Sequence, residues 1–308
     1  MYDLIILGGG PAGISACIYS ARKKLKTAII TNDFLGQSYV SEIIYNWPGT
    51  PEISGYELSQ NFKKHVFYYK GQDLDIFENE KIIEIDKNEK EIIIKTEKGN
   101  IYKTLSLLIA TGSSRKKLEV LNSDKYEHKG ITYCATCDGP MFTDMDVLVI
   151  GGGNAGFESA SQLLAYCKSV TLIHRNNEFK ADKITTEKLI QNPKFKTITN
   201  AEIIRVDGDN LVKSLTYKDK INGEEKTIET NGIFVEIGQI PNTDFAKKIV
   251  SIDNFGKIII NPINQRTEID GIWAAGDCSN GKYHQNIIAA GDAVKAIEDI
   301  YLWIQQKK

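Results

Sequence analysis

The fold is decided by the stretch Gly8-Gly9-Gly10-Pro11-Ala12-Gly13. A short apolar run at residues 3–7 precedes it, and a helical pattern at residues 14–22 follows. A strand, a glycine-rich turn and a helix in this order are typical of a dinucleotide-binding fold, because glycines let the backbone approach a pyrophosphate whose charge meets the N–H groups of the helix N-terminus. Such turns also occur without ligands, so one loop alone leaves both interpretations open.

The same pattern recurs 143 residues later as Gly151-Gly152-Gly153-Asn154-Ala155-Gly156. An apolar run at 147–150 precedes this second loop, and a helical pattern at 157–165 follows it. Each loop is followed by alternating, strand-like segments, at 76–98 and at 203–228, which are typical of an antiparallel meander. The chain therefore contains an internal duplication, and two nucleotide sites indicate two electron carriers.

The end of the chain returns to the pattern of the first unit. Strands are predicted at 257–260 and 271–275, and an amphipathic helix at 287–303, and this segment is too short to form a domain of its own. We predict an α/β fold with two Rossmann-like, three-layer ββα nucleotide-binding domains, the second inserted into the first. Polar stretches at 113–117 and 239–243 are the predicted linkers.

A second chemical signal precedes the second glycine loop: Cys134-Ala135-Thr136-Cys137, followed by Asp138. This spacing brings two sulfurs within bonding reach, and a suitable environment lowers a thiol pKa so that disulfide exchange runs at neutral pH. Half a zinc site or two unrelated thiols fit the same spacing. The three other cysteines are assigned to packing: Cys17, Cys167 and Cys278.

Composition excludes several classes of function. The 308 residues carry a formal charge of -2, with lysines interleaved among acids, so we expect no nucleic acid partner. No apolar run approaches the roughly 18–20 residues of a membrane span, and the first residues enter a buried-type strand, so we expect no membrane and a cytoplasmic protein. Five scattered cysteines argue against a secreted disulfide framework.

Residues at predicted strand ends are the candidates for binding sugars and phosphates. Asp33 stands about 20 residues after the first loop, where a ribose-binding acid is expected. Asp277, after 271–275, either accepts from a sugar-like hydroxyl or caps a turn. In the second unit the corresponding strand ends in His174-Arg175, and an arginine there accommodates the 2'-phosphate of NADP, with Lys180 as a second partner.

The whole chain resembles the low-molecular-weight thioredoxin reductases. The motifs that carry the resemblance are the two glycine loops, Asn46-Trp47-Pro48-Gly49, Ala110-Thr111-Gly112, Cys134-Ala135-Thr136-Cys137-Asp138-Gly139, His174-Arg175, Gly238 with Pro241-Asn242-Thr243, and Ala274-Ala275-Gly276-Asp277. The resemblance implies an FAD domain at 1–115 and 245–308 and an inserted NAD(P)H domain at 116–244. It also implies a homodimer and an inserted domain that swivels.

The resemblance further implies a mechanism. Hydride passes from NADPH to FAD, and reduced flavin attacks a Cys134–Cys137 disulfide through Cys137. The resulting dithiol reduces thioredoxin or a related dithiol protein. Asp138 is the candidate general acid that protonates the leaving thiolate, although an acid next to a cysteine could instead cap a helix.

The predicted cofactor residues lie in the glycine loops, at strand ends and in the turn-rich segment 34–55, where amide side chains either reach a flat heterocycle or pack as turn residues. For FAD they are Gly8, Gly10, Pro11, Ala12, Gly13, Asp33, Gly36, Gln37, Asn46, Thr111, Gly112, Gly276, Asp277 and Gln285, and for the nicotinamide dinucleotide Gly151, Gly153, Asn154, Ala155, His174, Arg175 and Lys180. No metal site is predicted.

The chain departs from the family pattern at two places. The family's His-Arg-Arg, with a further Arg four residues on, has Asn176 and Lys180 at these two Arg positions, which weakens phosphate recognition and leaves NADH as the alternative donor. The family's Arg-Gln near the flavin becomes His284-Gln285, and we interpret His284 as a structural substitute. Three further hypotheses stay open: a different dithiol partner (another redox protein that is reduced, or a small dithiol that is oxidised), a donor other than nicotinamide, and a sensor module whose cysteines hold zinc.

Overall fold

The computed structural model describes residues 1–41, 44 and 46–307. The chain divides into two compact units: Met1–Ser41, Trp47–Ser114 and Ile240–Lys308 form the first, and Glu42–Asn46 and Arg115–Gln239 form the second. Both units are Rossmann-like, so the predicted α/β fold class is confirmed. Residues 240–244, which we placed in the inserted domain, belong to the first unit. The cofactor assigned to each unit stays a prediction.

The helices and strands follow in chain order. Up to residue 115 they are β1 (Tyr2–Leu7), α1 (Pro11–Arg22), β2 (Thr27–Ile30), α2 (Gly55–Tyr68), β3 (Leu74–Phe77), β4 (Ile82–Lys87), β5 (Ile92–Thr96), β6 (Ile101–Ile109) and β7 (Ser113–Arg115). Up to residue 190 they are α3 (Ser123–Tyr126), β8 (Ile131–Thr132), α4 (Ala135–Asp138), β9 (Asp146–Ile150), α5 (Asn154–Leu163), β10 (Ser169–Ile173) and α6 (Lys183–Ile190). The remainder are β11 (Phe195–Ile198), β12 (Ala201–Gly208), β13 (Val212–Asp219), β14 (Glu225–Glu229), β15 (Gly232–Val235), β16 (Gln239–Pro241), β17 (Ile272–Ala274) and α7 (Asn286–Lys307).

The sheet of the first unit has the order β3-β2-β1-β6-β5-β4, with β17 beside β6. The long strand β6 pairs parallel with β1 on one side, and on its other side it pairs antiparallel with β5 in its first half and parallel with β17 in its second half. The predicted meander at 76–98 is therefore correct only for β4 and β5. Strand β3 instead extends the parallel part of the sheet, beside β2.

The sheet of the second unit has the order β11-β10-β9-β15-β8, and its strands are parallel. Strands β12, β13 and β14 form a separate antiparallel meander, as predicted for 203–228. From β9 the chain first moves to β10 and β11, and it later returns to the opposite side of β9 as β15. Because ligands of open α/β sheets bind at the carboxyl ends of strands where the order reverses, this arrangement defines a crevice above β9 and β15.

Alternating side chains of the central strands build the cores on both faces of each sheet. In β1, Leu4 and Ile6 pack in one core cluster with residues of α1 and α7, whereas Ile5 and Leu7 pack in the other with residues of β4 and β5. The second unit repeats this division: Val147 and Val149 join residues of α5, and the alternate positions of β9 join residues of the meander. These three-layer cores explain why continuous apolar runs were recognisable as buried strands.

Two predicted segments differ in the structure. The strand predicted at 257–260 is wrong, because Ile258 makes only isolated bridges, to Ile252 and to Ser279. The predicted linkers are partly ordered as strands, since β7 and β16 pair as a two-stranded sheet. In the ranges that the structure describes, no helix is long and apolar enough to cross a membrane.

Two neighbouring acids on α7 provide a test of the first core. Asp299 accepts hydrogen bonds from the buried Trp273 indole at 2.8 Å and from Arg266, whereas Glu298 makes an exposed ion pair with Lys23. Asp299→Ala leaves a buried N–H group without a partner, so we expect it to lower the free energy of unfolding by about 2 kcal/mol. Glu298→Ala should cost less than about 1 kcal/mol.

Urea unfolding followed by tryptophan fluorescence measures both changes, because all 3 tryptophans belong to the first unit. Equal effects of the two substitutions would contradict the role given to Asp299.

Candidate functional site

The first glycine loop leaves the N-terminus of α1 open to a ligand. A Cβ atom on Gly8, whose φ is +107°, would lie 2.3 Å from the Ala110 carbonyl oxygen, and one on Gly13 would lie 1.8 Å from the Gly8 oxygen. By contrast, nothing lies within 4 Å of the position of a Cβ on Gly10. Gly10 caps α1 without a side-chain hydrogen bond, and the first turn of α1 contains no acid. This loop therefore fits a pyrophosphate.

A pocket adjoins this loop. Gly36 has φ +66°, and a Cβ atom added to it would lie 3.6 Å from Gly10 Cα and from Pro11 Cδ. The pocket is lined by Gly9, Gly10, Pro11, Ile14, Phe34, Leu35, Gly36, Ser38, Leu58, Ser59, Phe62 and Asn286. The structure thus brings the predicted residues of the glycine loop together with Gly36.

Gln37 and Asp277, 240 positions apart in the chain, are hydrogen-bonded to each other. The Gln37 amide donates to Asp277 Oδ2 at 3.1 Å and to the Ser113 hydroxyl at 3.0 Å. Gly276, with φ +74°, allows this segment to pass the first turn of α1, since its Cβ would lie 3.3 Å from that of Ala12. Two predicted cofactor residues are therefore joined beside the glycine loop, and Ser113 is a neighbour that the sequence analysis missed.

His284 belongs to the same cluster. Its Nδ1 lies 3.3 Å from Asp277 Oδ1, and its Nε2 lies 2.7 Å from Lys257 Nζ. Burial lowers the pKa of Lys257. An ammonium group can only donate, so Nε2 accepts and the ring proton on Nδ1 is directed to Asp277. His284 thus links Lys257 to Asp277, which agrees with the interpretation of a structural substitute.

Three other predicted FAD residues, Thr111, Gly112 and Asp33, are hydrogen-bonded to other groups of the protein. Thr111 and Gly112 are both bonded to Asn242: the Thr111 hydroxyl donates to its carbonyl oxygen at 2.7 Å, and the Asn242 N–H donates to the Gly112 oxygen at 3.0 Å. The carboxylate of Asp33 accepts from Leu35 N at 2.9 Å and from the Asn32 amide at 3.0 Å, so it closes its own turn.

Two further predicted FAD residues are Asn46 and Gln285. Asn46 belongs to the short segment that groups with the second unit. Gln285 directly precedes α7, and its carbonyl oxygen accepts from Ala289 N at 2.9 Å. Their roles toward a flavin stay predictions.

The second glycine loop repeats the geometry of the first. A Cβ on Gly151 would lie 2.2 Å from the Glu236 carbonyl oxygen, and one on Gly156 would lie 1.9 Å from the Gly151 oxygen. Again nothing lies within 4 Å of the corresponding position on Gly153, which caps α5 without a side-chain hydrogen bond. This second uncapped helix N-terminus fits the pyrophosphate of a dinucleotide.

The segment after β10 folds back onto this loop. Lys180 N donates to the Gly152 oxygen at 2.8 Å, and Asn154 Oδ1 accepts from Asp182 N at 2.8 Å. The buried His174 ring lies over Gly152, and its Nε2 lies 3.0 Å from the Glu178 oxygen. Burial lowers the pKa of His174, so the ring is neutral at pH 7.

Exposed cations surround the end of β10. Arg175 and Lys180 are exposed, and Lys220 reaches the same turn, where its Nζ donates to the Arg175 oxygen at 3.3 Å. Asn200 fixes the turn, because its N–H donates to the Asn176 oxygen at 3.1 Å. Lys220 was missed by the sequence analysis, since it follows β13 and no local pattern relates it to β10.

The two central cysteines form a disulfide at the start of α4. Cys134 and Cys137 are half-buried, their Cα atoms lie 5.3 Å apart, and Cys134 Sγ accepts a hydrogen bond from Cys137 N at 3.2 Å. The Thr132 hydroxyl donates to the carboxylate of Asp138. The bond between the sulfurs supports a redox pair.

Helix α4 is attached to α5. The Thr136 hydroxyl donates to Gln162 Oε1 at 2.7 Å, and Gly139 lies against Leu163 and Tyr166. The disulfide and the second glycine loop therefore share one supporting helix.

The other three cysteines are buried, as predicted. Burial raises the pKa of the Cys167 and Cys278 thiols to about 11 and raises that of Cys17 as well. Because the thiolate is the reactive form, these side chains are inert at neutral pH.

Comparison with known proteins identifies the family. A model of the pyridine nucleotide-disulphide oxidoreductases matches residues 2–296, so the chain belongs to this family. Among solved structures it is similar to thioredoxin reductase from Streptococcus pyogenes MGAS5005, with 31% identity, 99% of both chains covered and a TM-score of 0.90. The predicted resemblance is thereby confirmed, and the family implies a flavin and a pyridine nucleotide.

Curated relatives bear other names. The chain is 37% identical over 303 residues to the F subunit of alkyl hydroperoxide reductase from Staphylococcus epidermidis, covering 98% of this chain and 59% of the relative. It is 34% identical over 295 residues to NADH dehydrogenase of Bacillus subtilis, covering 96% of this chain and 57% of the relative. The chain thus spans less than two thirds of the length of these relatives.

Two glycines of the second loop separate binding from folding. Gly153→Ala places a methyl group in the open space at the start of α5, with an ordinary φ of -96°, so the unit should fold while its affinity for a pyridine dinucleotide falls by about tenfold or more. Gly156→Ala collides with the Gly151 oxygen and should prevent folding of the second unit.

Calorimetric titration with dinucleotide and far-ultraviolet circular dichroism measure the two effects. Normal binding by a folded Gly153→Ala variant would show that the phosphates lie elsewhere.

Proposed function

We propose that this chain is an FAD-dependent disulfide reductase that passes electrons from NADPH through Cys134–Cys137 to thioredoxin or a related dithiol protein. The observation that carries the proposal is the half-buried disulfide at the start of α4, in the same unit as an open dinucleotide-type helix N-terminus. The likeness to thioredoxin reductases supports the acceptor. The overall exchange converts NADPH, a proton and a partner disulfide into NADP⁺ and a partner dithiol.

Each group of residues has a task in this exchange. The bound FAD supplies two-electron transfer between nicotinamide and disulfide. The α1 N-terminus would hold its pyrophosphate, and Gln37 and the accepting carboxylate of Asp277 would offer hydrogen bonds to its sugar-like chain. On opening of the disulfide, Asp138, oriented by Thr132, protonates the sulfur that leaves.

The surroundings of the two sulfurs support different roles for Cys134 and Cys137. The Cys137 N–H points at Cys134 Sγ, and a backbone donor stabilises a thiolate on the atom that accepts it. Cys134 is therefore the nucleophile that attacks the partner disulfide. Cys137 then displaces the partner from the mixed disulfide, which restores Cys134–Cys137 and releases the partner as a dithiol.

The choice of NADPH rests on the charges beside β10. A ribose 2'-hydroxyl is recognised by an acid at the end of this strand, whereas a 2'-phosphate requires cations. Here the strand end carries a neutral His174 and the exposed Arg175, and Lys220 supplies a positive charge where Asn176 replaces the family's second arginine. Three cations, with Lys180, are available to the phosphate.

A second candidate uses NADH as the donor and a different redox protein as the acceptor. The relatives named NADH dehydrogenase and alkyl hydroperoxide reductase favour it. The two candidates share the flavin and the disulfide and differ only at the two ends of the electron path.

Counting electrons tests the central claim. The purified yellow protein should take up about four electrons per flavin from dithionite, two in the flavin and two in the disulfide. Cys134→Ser and Cys137→Ser should each take up about half as many, and neither should reduce thioredoxin. Cys137→Ser should accumulate a mixed disulfide between Cys134 and thioredoxin, visible by mass spectrometry.

Cys167→Ala is the matched control, because it removes a buried thiol and should retain the full electron count. Full uptake by Cys134→Ser would exclude this disulfide as an electron carrier. Trapping by Cys134→Ser instead would reverse the roles of the two cysteines.

Binding of nucleotide fragments tests the donor. The holoenzyme should bind adenosine 2',5'-bisphosphate more tightly than ADP. Lys220→Gln should lower the ratio of these two affinities about tenfold, because it deletes one charge-assisted contact. Lys218→Gln, which removes the same charge two residues earlier, should change it less. Equal binding of both fragments by the wild type would make NADH the donor.

A further inference from the structure

Glu236 is a half-buried acid beside the second glycine loop that has no role in the function proposed above. It directly follows β15, whose Val235 pairs with Ile150 at the end of β9. Its N–H donates to the Ile150 oxygen at 2.8 Å, and its carbonyl oxygen lies where a side chain on Gly151 would be. The backbone of Glu236 is thus fixed against the loop that receives the pyrophosphate.

The side chain of Glu236 is oriented by α5. The Ser159 hydroxyl donates to its Oε1 at 2.6 Å. Burial raises the pKa of this carboxyl group, while Ser159 and the nearby Arg115 oppose the rise and Glu158 adds to it. A desolvated carboxylate costs free energy unless it accepts hydrogen bonds, so its second oxygen is a strong acceptor for a ligand group.

The order of the strands specifies which part of a dinucleotide reaches Glu236. By the rule for open α/β sheets, the pyrophosphate would lie at the N-terminus of α5, above β9, and the adenosine half toward β10, where Arg175 and Lys220 are located. Strand β15 is the neighbour of β9 on the opposite side, about 5 Å away. The half that carries the nicotinamide therefore extends over the end of β15.

We propose that Glu236 is a binding residue for the nicotinamide-ribose half of the dinucleotide, accepting a hydrogen bond from a ribose hydroxyl or from the carboxamide N–H. This inference rests on the proposed function, because it requires a pyridine nucleotide on the second unit. It does not depend on the 2'-phosphate, since Glu236 and Arg175 follow strands on opposite sides of β9. Ser159 acts as its positioning residue.

Calorimetry on the oxidised holoenzyme separates a ligand contact from a structural role. The probes are NADP⁺, which contains the nicotinamide half, and adenosine 2',5'-bisphosphate, which lacks it. Glu236→Gln should weaken NADP⁺ binding by about tenfold and leave the fragment unchanged. Ser159→Ala should show the same selectivity with a smaller loss. Glu229→Gln, which removes an exposed charge from the same unit, should affect neither ligand.

The possible outcomes are distinct. Equal weakening of both ligands by Glu236→Gln would assign the residue to the shape of the glycine loop and overturn the inference, as would an unchanged affinity for NADP⁺. If the wild type binds NAD⁺ rather than NADP⁺, the donor in the proposed function is wrong, and NAD⁺ with ADP becomes the probe pair for Glu236. If the wild type binds no pyridine nucleotide, both proposals fail together.

Discussion

The close contact between two glycines in each loop is the constraint on which the rest of the structure depends. In both units the last glycine of the loop packs against the carbonyl oxygen of the first, at a distance that no side chain could occupy. This contact allows the helix to start directly above the end of the central strand. As a result, the helix N–H groups are exposed at the carboxyl edge of the sheet, where a phosphate can reach them.

The charges around the two helix N-termini distinguish the units. Beside α1, the carboxylate of Asp277 is joined to Gln37 and, through His284, to Lys257. Beside α5, the end of β10 carries exposed cations, and the acid lies on the opposite side, at Glu236. The same backbone arrangement therefore carries a hydrogen-bonded carboxylate beside α1 and exposed positive charges beside α5.

Local patterns in the sequence were sufficient to locate the glycine loops with their flanking strands and helices. Strand β17 lies within the predicted range 271–275, and the glycine loops and the central cysteine pair lie where their flanking patterns placed them. The strand predicted at 257–260 failed because an apolar alternation does not reveal whether a partner strand is available. Here Ile258 is buried and bridged on two sides without forming a ladder.

Contacts between distant segments could not be predicted from such patterns either. Lys220 and Arg175 are 45 residues apart, and Ser159 and Glu236 are 77 residues apart, so their proximity depends on how β13 and β15 are placed relative to β9. Asp33 follows the end of β2, and its carboxylate accepts a hydrogen bond within its own turn, so its role toward a ribose stays a prediction.

Helix α5 connects the two chemical features of the second unit. Its first turn borders the open space of the glycine loop, its middle orients Glu236 through Ser159, and its last turn holds α4 through Gln162. Phe157, fully buried in the same helix, anchors it to the sheet. Because an α-helix is stiff over so few turns, the dinucleotide loop and the disulfide are held at a constant separation.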